Sequence, residues 1–328
     1  MKKVVVLAFN NCLTSSIIGI LDVLAVSNIF NSPESDGENK LFDIQIAAIS
    51  LSPVMSFNAQ PIHPTMTIEE IKSADIIIIP PIMTNFETVL DENRVLIPWI
   101  KVHAKNSETL ICSICTGIFF LAEAGLLHQK SATTNPMITN LIASRYPTIN
   151  LNVEEILVDL GQVITSGTTC AFVDLIIYLL ERDHGSNIAR QIAKLFLHDK
   201  NRRSQSPYLS PPVNKLHKDR EILTVQTWLD KNFSNDFSIS QLAERCHMSS
   251  RNFVRRFQDA TGETPTSYIQ ILRVELAKKE LEATQKTVSE IVYEIGYQDQ
   301  KSFGRLFKKH TTLTPTEYRK RFSTRVFP

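Results

Sequence analysis

From residue 1 to about residue 198, short apolar runs alternate with longer stretches whose apolar residues recur at helical spacing. Val4 to Phe9, Asp43 to Ile49, Asp75 to Ile79, Thr109 to Ser113 and Gln162 to Thr165 are predicted strands. Ile17 to Phe30, Phe86 to His103, Gly117 to Ala124 and Ala171 to Glu181 are predicted helices. This alternation predicts an α/β domain built on a doubly wound sheet with helices on both faces. Ser32 to Lys40 is a polar insertion of loop composition, expected to be exposed.

The pattern then changes. Residues 199 to 218, with Arg202-Arg203-Ser204-Gln205-Ser206-Pro207 and Pro211-Pro212, have the low apolarity and the prolines of an interdomain linker. From 219 to 328 the periodicity is helical. Helices are expected at Asp219 to Lys231, Ser240 to Cys246, Ser250 to Ala260, Pro265 to Glu282, Val288 to Ile295, Gln300 to His310 and Pro315 to Phe322. The chain thus divides into an α/β domain at 1–198, a linker at 199–218 and an all-α domain at 219–328.

The all-α domain says one thing twice. Phe253-Val254-Arg255-Arg256-Phe257 returns as Phe303-Gly304-Arg305-Leu306-Phe307, and Thr264-Pro265-Thr266-Ser267-Tyr268 returns as Thr314-Pro315-Thr316-Glu317-Tyr318, both fifty residues on. Two Phe one helical turn apart anchor one side of a helix, so the Arg between them faces outward. Each copy reads as a helix-turn-helix. Leu242, Ala243 and Cys246 lie under the first Phe pair; Ile291, Val292 and Ile295 lie under the second.

The outward faces carry Arg251, Asn252 and Arg255 in one unit and Gln300, Lys301 and Arg305 in the other. Arg bonds guanine, and Asn or Gln bonds adenine, through paired hydrogen bonds, so these faces suit major-groove reading. Arg256, Lys308, Lys309 and Arg319 to Arg321 suit phosphates, which set affinity. Gly296 supplies a turn residue able to take positive φ. Aligning it with His247 needs an offset of 49, so the second turn is one residue longer.

Charge supports this division. Residues 1–212 carry 15 Lys+Arg against 20 Asp+Glu, whereas residues 213–328 carry 20 against 14. A basic helical half fits a polyanion partner, although charge alone fits solubility equally well. The five cysteines, Cys12, Cys112, Cys115, Cys170 and Cys246, have neither disulfide-framework nor metal-site spacing, and the histidines show no metal spacing. No metal or other cofactor is therefore expected. The expected location is a reducing cytoplasm. The apolar run after Met1-Lys2-Lys3 is too short for a signal peptide, and no segment is expected to reach the roughly 18 apolar residues of a membrane span.

Residues 221 to 328 resemble the AraC/XylS DNA-binding domain through Ile291, Gly296-Tyr297, Phe303, Arg305, Phe307, Pro315, Tyr318 and Arg319. The resemblance implies double-stranded promoter DNA as partner, with both reading helices in successive major grooves and Arg255 and Arg305 approaching bases. RNA polymerase is a further candidate partner. His247 stands where that family has glycine, which predicts strain in the first turn.

In the α/β domain, Thr109-Leu110-Ile111-Cys112-Ser113-Ile114-Cys115-Thr116-Gly117 reads as a strand, a tight turn and a helix. The elbow puts Cys115 beside a helix N-terminus, whose dipole favours thiolate; a cysteine there can equally be a small buried hydrophobe. With Gly19-Ile20-Leu21-Asp22, Leu121 to Leu127, Thr165-Ser166-Gly167 and Asp174, the domain resembles the PfpI and class I glutamine amidotransferase-like superfamily, as found in GlxA-type AraC regulators. The resemblance implies a flavodoxin-like fold and a homodimer through this domain.

Three departures speak against hydrolysis. Thr133-Thr134-Asn135 stands where hydrolytic relatives have His, Asp22 where they have Glu, and Pro81-Ile82 where they have a glycine pair; proline has no N–H to donate. No catalytic residue is assigned. A cleft lined by Asp22, Cys115, Thr116 and Asn135 is expected to hold a small-molecule effector at the C-terminal ends of the strands. Asp22 would suit a cationic amine or amino-acid derivative, or else packs a helix.

These features point to a sequence-specific DNA-binding transcription regulator controlled by a small-molecule effector, and not to an enzyme. Two other readings fit the same residues. A thiol hydrolase or glyoxalase-like enzyme with an accessory DNA-binding domain would be favoured by His at position 135, and a DNA-organising protein without effector would show no ligand response.

Overall fold

The computed structural model describes residues 1–31, 40–199, 202, 204–209, 215, 217–235 and 237–323. Most of the polar insertion (32–39) and much of the expected linker (200–201, 203, 210–214 and 216) lie outside the described residues. The chain forms two compact units, 1–205 and 206–328. Arg202, Ser204 and Gln205, expected in the linker, are thus part of the first unit.

The first unit is built on a seven-stranded sheet: β1 (Lys2–Leu7), β2 (Phe42–Ala48), β3 (Met66–Thr67), β4 (Ile76–Ile79), β5 (Leu110–Ile114), β6 (Leu157–Asp159) and β7 (Val163–Ser166). Their spatial order is β6-β7-β5-β4-β1-β2-β3, parallel except for β6 against β7. Helices cover both faces, so β4 and β5 are buried at every position, which is why they read as unbroken apolar runs. Strand order reverses between β1 and β4, the place where open α/β sheets form a cleft at the C-terminal strand ends.

Helix α1 (Thr14–Asn31) corrects one expectation: with mean hydropathy 1.4 over 18 residues, it is long and apolar enough to cross a membrane. It is nevertheless the crossover between β1 and β2, which pair along their whole length, and it buries Ile17, Ile20, Val23 and Leu24. Asn28 ties its end to β2 by accepting from the Leu41 and Phe42 amides and donating to the Phe42 carbonyl. The helix expected over Phe86 to His103 divides into α2 (Phe86–Glu92) and α3 (Leu96–His103). Pro98 offers no N–H to the Arg94 carbonyl, so it fits the first turn of a new helix but not the interior of a long one. Helices α4 (Ile118–Glu123) and α6 (Ala171–His184) follow the expected pattern; α5 (Thr139–Arg145), α7 (Ser186–Leu195) and the edge strands β3 and β6 were not foreseen.

The second unit comprises α8 (Arg220–Asn232), α9 (Ile239–Glu244), α10 (Ser250–Thr261), α11 (Pro265–Ala283), α12 (Val288–Glu294), α13 (Gln300–Thr311) and α14 (Pro315–Phe322). It has two cores, one around Phe253 and Phe257 and one around Phe303 and Phe307. Helix α11 serves both, giving Tyr268 and Ile269 to the first and Val274, Ala277 and Leu281 to the second. Between these positions Arg273 donates to the Phe233 carbonyl at 2.8 Å and the Asn235 carbonyl at 3.2 Å, and lies 5.2 Å from the Tyr297 ring centre. Gly296 packs against the same segment; a Cβ there would stand 2.2 Å from the Ser234 carbonyl oxygen.

Candidate DNA interface and elbow site

The sequence repeat is a geometric repeat. Residues 251–260 and 301–310 have the same burial at every matched position. Phe253 and Phe257 lie 5.6 Å apart, Phe303 and Phe307 5.7 Å, and all four are fully buried. Thr261 and Thr311 each return a hydroxyl to the carbonyl four residues earlier at 2.8 Å. The reading helices α10 and α13 start on Ser249 and Asp299, whose side chains accept from amides of the first turn. The turns before them take positive φ at His247 (52°) and Gly296 (84°), and the extra residue of the second turn is Gln298.

Arg251, Arg255, Lys301, Arg305, Lys308 and Lys309 are exposed on this frame. Asn252 is half-buried and accepts from Arg255 Nη2 at 3.2 Å, so it orients the arginine beside it. Gln300 accepts from Ser289 at 3.0 Å. Lys308 and Lys309 lie in the last turn of α13, where cations suit the helix dipole.

Three residues expected at phosphates have partners within the unit instead. Arg256 binds both Asp219 and Glu221 and so ties α10 to the start of α8. Arg319 donates to the Leu281 carbonyl, and Arg321 to the Tyr208 hydroxyl. Burial works against the Asp219 carboxylate, yet hydrogen bonds from Arg256 and the Ile222 amide hold its pKa below the ordinary value.

At the elbow, Cys115 takes φ 54° and is 3% exposed. Gly117 is required there, since a Cβ would fall 2.7 Å from the Ile79 carbonyl oxygen. The Thr134 hydroxyl donates to the Cys115 carbonyl and the Thr116 hydroxyl to the Ile82 carbonyl, each at 2.7 Å. Burial raises the thiol pKa above its ordinary value; the Thr116 amide and the side chains of Asn135, Thr116 and Thr169 act in the opposite sense and lose. The thiolate expected from the helix N-terminus is therefore not favoured. The groups that act to lower the thiol pKa are a backbone amide, a carboxamide and two hydroxyls, not a carboxylate or an imidazole.

The structure joins Cys115, Thr116 and Asn135 as expected but not Asp22. That residue lies on the exposed side of α1, opposite a buried face that includes Ser16, whose hydroxyl has no hydrogen-bond partner. Thr134 and Thr169 were missed; each belongs to a short Thr pair without a motif of its own. Asp174, singled out in the sequence, is buried and accepts from His198 at 3.0 Å and from Arg202, beside a cavity of about 240 Å³ that Glu155 and Tyr178 also line.

An α/β unit with an elbow cysteine, followed by a paired helix-turn-helix on one central helix, is the architecture of DNA-binding transcription regulators. The chain belongs to the DJ-1/PfpI family, whose model matches residues 2–182, and residues 242–321 match a helix-turn-helix domain of AraC type. It is 24% identical over 305 residues to the HTH-type transcriptional regulator CdhR of Pseudomonas aeruginosa, covering 93% of this chain and 88% of that one. It is 22% identical over 208 residues to GbdR, a regulator of the same organism, spanning 63% of this chain and 56% of that protein. Among solved structures, a proposed transcriptional regulator from Vibrio parahaemolyticus aligns with 60% of this chain and 98% of its own at TM-score 0.52 and 27% identity. Drosophila melanogaster DJ-1beta aligns over 60% of this chain and 98% of its own at TM-score 0.51 and 17% identity, a likeness of fold.

Proposed function

We propose that this protein reads promoter DNA through Arg255 and Arg305 and that a small polar metabolite, bound on the rim around Cys115, controls it. The observation that carries the proposal is the matched exposure of Arg255 and Arg305, fifty residues apart in the chain, each between two fully buried phenylalanines four residues apart. Two reading helices braced by Arg273 suit adjacent turns of one duplex. The regulator names borne by CdhR and GbdR support the same reading.

The rim offers neutral hydrogen-bonding groups on Thr116, Asn135 and Thr169, all half-buried, over a thiol that burial keeps protonated. Such a site binds and orients rather than activates a nucleophile. We therefore read the protein as a sensor and not an enzyme. With Asp22 outside the rim, a cationic effector would have to find its acceptor elsewhere. A homodimer through the DJ-1-like unit would present paired reading modules to repeated half-sites, and the five free thiols fit a reducing compartment.

The test is a thermal-shift screen of amines, amino-acid derivatives and neutral polar metabolites on the full chain. A true effector at about 100 times its Kd should stabilise the first unit by roughly 2.7 kcal/mol and change operator affinity. Asn135→Leu should remove both effects. A shift that survives both Asn135→Leu and Thr169→Val places the effector elsewhere; Cys115-dependent turnover of an amide or aldehyde would instead favour an enzyme.

A further inference from the structure

Gln205 is the last residue of the first unit, yet it is only 3% exposed. Its side-chain oxygen accepts from the Thr168 amide at 3.0 Å, and its side-chain nitrogen donates to the carbonyls of Thr134 at 3.0 Å and Val153 at 2.6 Å. Its backbone amide donates to Glu154 at 3.0 Å, and Ser204 bridges to Glu155. Gly167 completes the seat: a Cβ there would stand 2.2 Å from the Gln205 side-chain oxygen. Burying an amide costs free energy unless both of its ends are paired, so the seat is specific for this side chain.

Two of the residues that hold Gln205, Thr134 and Thr168, are the chain neighbours of the rim residues Asn135 and Thr169. Thr134 fixes the Cys115 carbonyl, Asn135 follows it and acts to lower the thiol pKa, and Thr168 precedes Thr169. One side chain therefore bonds to the backbone next to Asn135 and next to Thr169, and the next peptide bond enters the DNA-binding unit.

We propose that Gln205 is the latch through which occupancy of the rim is passed to the chain leading into the helix-turn-helix unit; this rests on reading the rim as the effector site. An effector that shifts Asn135 against Thr169 must also shift the Thr134 carbonyl and the Thr168 amide, the two anchors of the Gln205 amide. Close-packed interiors transmit such displacements rather than absorb them. Effector binding thus seats or frees the first residues beyond the sensor without any new contact at the DNA.

The experiment uses the full chain carrying Cys170→Ser, which removes the exposed neighbouring thiol. Methyl methanethiosulfonate then serves as a small probe of the rim. The Cys115 thiolate attacks the sulfenyl sulfur, a mixed disulfide forms, the sulfur–sulfonyl bond breaks and methanesulfinate leaves. Hydrogen exchange is followed in peptides containing Gln205, with the modified cysteine located by mass.

Modification should change exchange at the Gln205 amide at least threefold. In Gln205→Met and Gly167→Ala, exchange should already be faster and modification should add nothing. The two variants unseat the amide from opposite sides, so either one that folds carries the comparison. Modified Cys115 with unchanged exchange at Gln205, but an altered melting temperature of the first unit, overturns the latch and leaves the rim standing as a site. If burial and protonation keep Cys115 unmodified at pH 8, the rim is perturbed by Asn135→Leu or Thr169→Val instead, and exchange at Gln205 that is unchanged in both folded variants overturns the latch.

Discussion

Phe307 meets Tyr318 edge to face, with ring centres 5.4 Å apart and planes at 88°; fifty residues earlier Phe257 meets Tyr268 at 5.3 Å and 82°. Each pair locks a reading helix to the helix that follows it. Phe307→Ala should therefore cost about 3 to 5 kcal/mol of stability in the second unit. Urea unfolding followed by circular dichroism measures it, and a loss below 1 kcal/mol would mean that the anchor is not Phe307.

Arg273 spans the two cores by donating to Phe233 and Asn235 while stacking on Tyr297. Removing hydrogen bonds from a charged donor costs roughly 1.5 to 3 kcal/mol, and Arg273→Ala should destabilise the second unit by that order. Arg273→Lys should rescue little, since an ammonium lacks the planar fork that reaches both carbonyls. Full rescue by Lys would reduce the role of Arg273 to charge alone.

Arg256 and Lys308 should separate cleanly. Lys308→Ala should weaken binding to all sequences alike and reduce the salt slope of DNA binding by about one. Arg256→Ala should lower the melting temperature of the second unit, as should Asp219→Asn, and leave the salt slope alone. A slope that falls with Arg256→Ala would restore Arg256 to the phosphate contacts.

The Cys115 thiol is held protonated by burial, above its ordinary value of 9.0. A group with a raised folded pKa contributes stability that is complete below its unfolded pKa and is lost as pH rises through the folded value. The urea midpoint of the first unit should thus hold between pH 7 and 8.5 and fall above pH 9, and Cys115→Ala should make that fall shallower. Cys170, which is exposed, should react with iodoacetamide at pH 7 much faster than Cys115. Equal rates would contradict the burial argument.

Much of the fold was legible because burial on both sheet faces writes itself as apolar runs, and because a repeat of fifty residues leaves two copies of the same Phe and Thr-Pro spacing. Pro98 carried a usable signal for the break between α2 and α3. Other features had no local signal. Arg255 and Arg256 are adjacent and identical in type; only Asp219 and Glu221 on α8 decide that one is tied down and the other is free to reach out. Asp22 follows the first strand as expected of a pocket residue, but the register of α1 turns Ser16 inward and Asp22 outward. Gln205 sits among prolines and serines that read as linker, and its buried seat is made by residues more than thirty positions away in sequence.

Base reading by Arg255 and Arg305 is what joins the buried Phe pairs to the proposed regulation. The direct measurement is a binding titration of wild type, Arg255→Ala and Arg305→Ala on operator and scrambled duplexes at two salt concentrations, with circular dichroism confirming the fold. Each substitution should weaken operator binding by about 1 to 3 kcal/mol and relax preference in one half of the site, with scrambled DNA much less affected. Folded variants that bind the operator with unchanged affinity and specificity would mean that neither arginine reads bases.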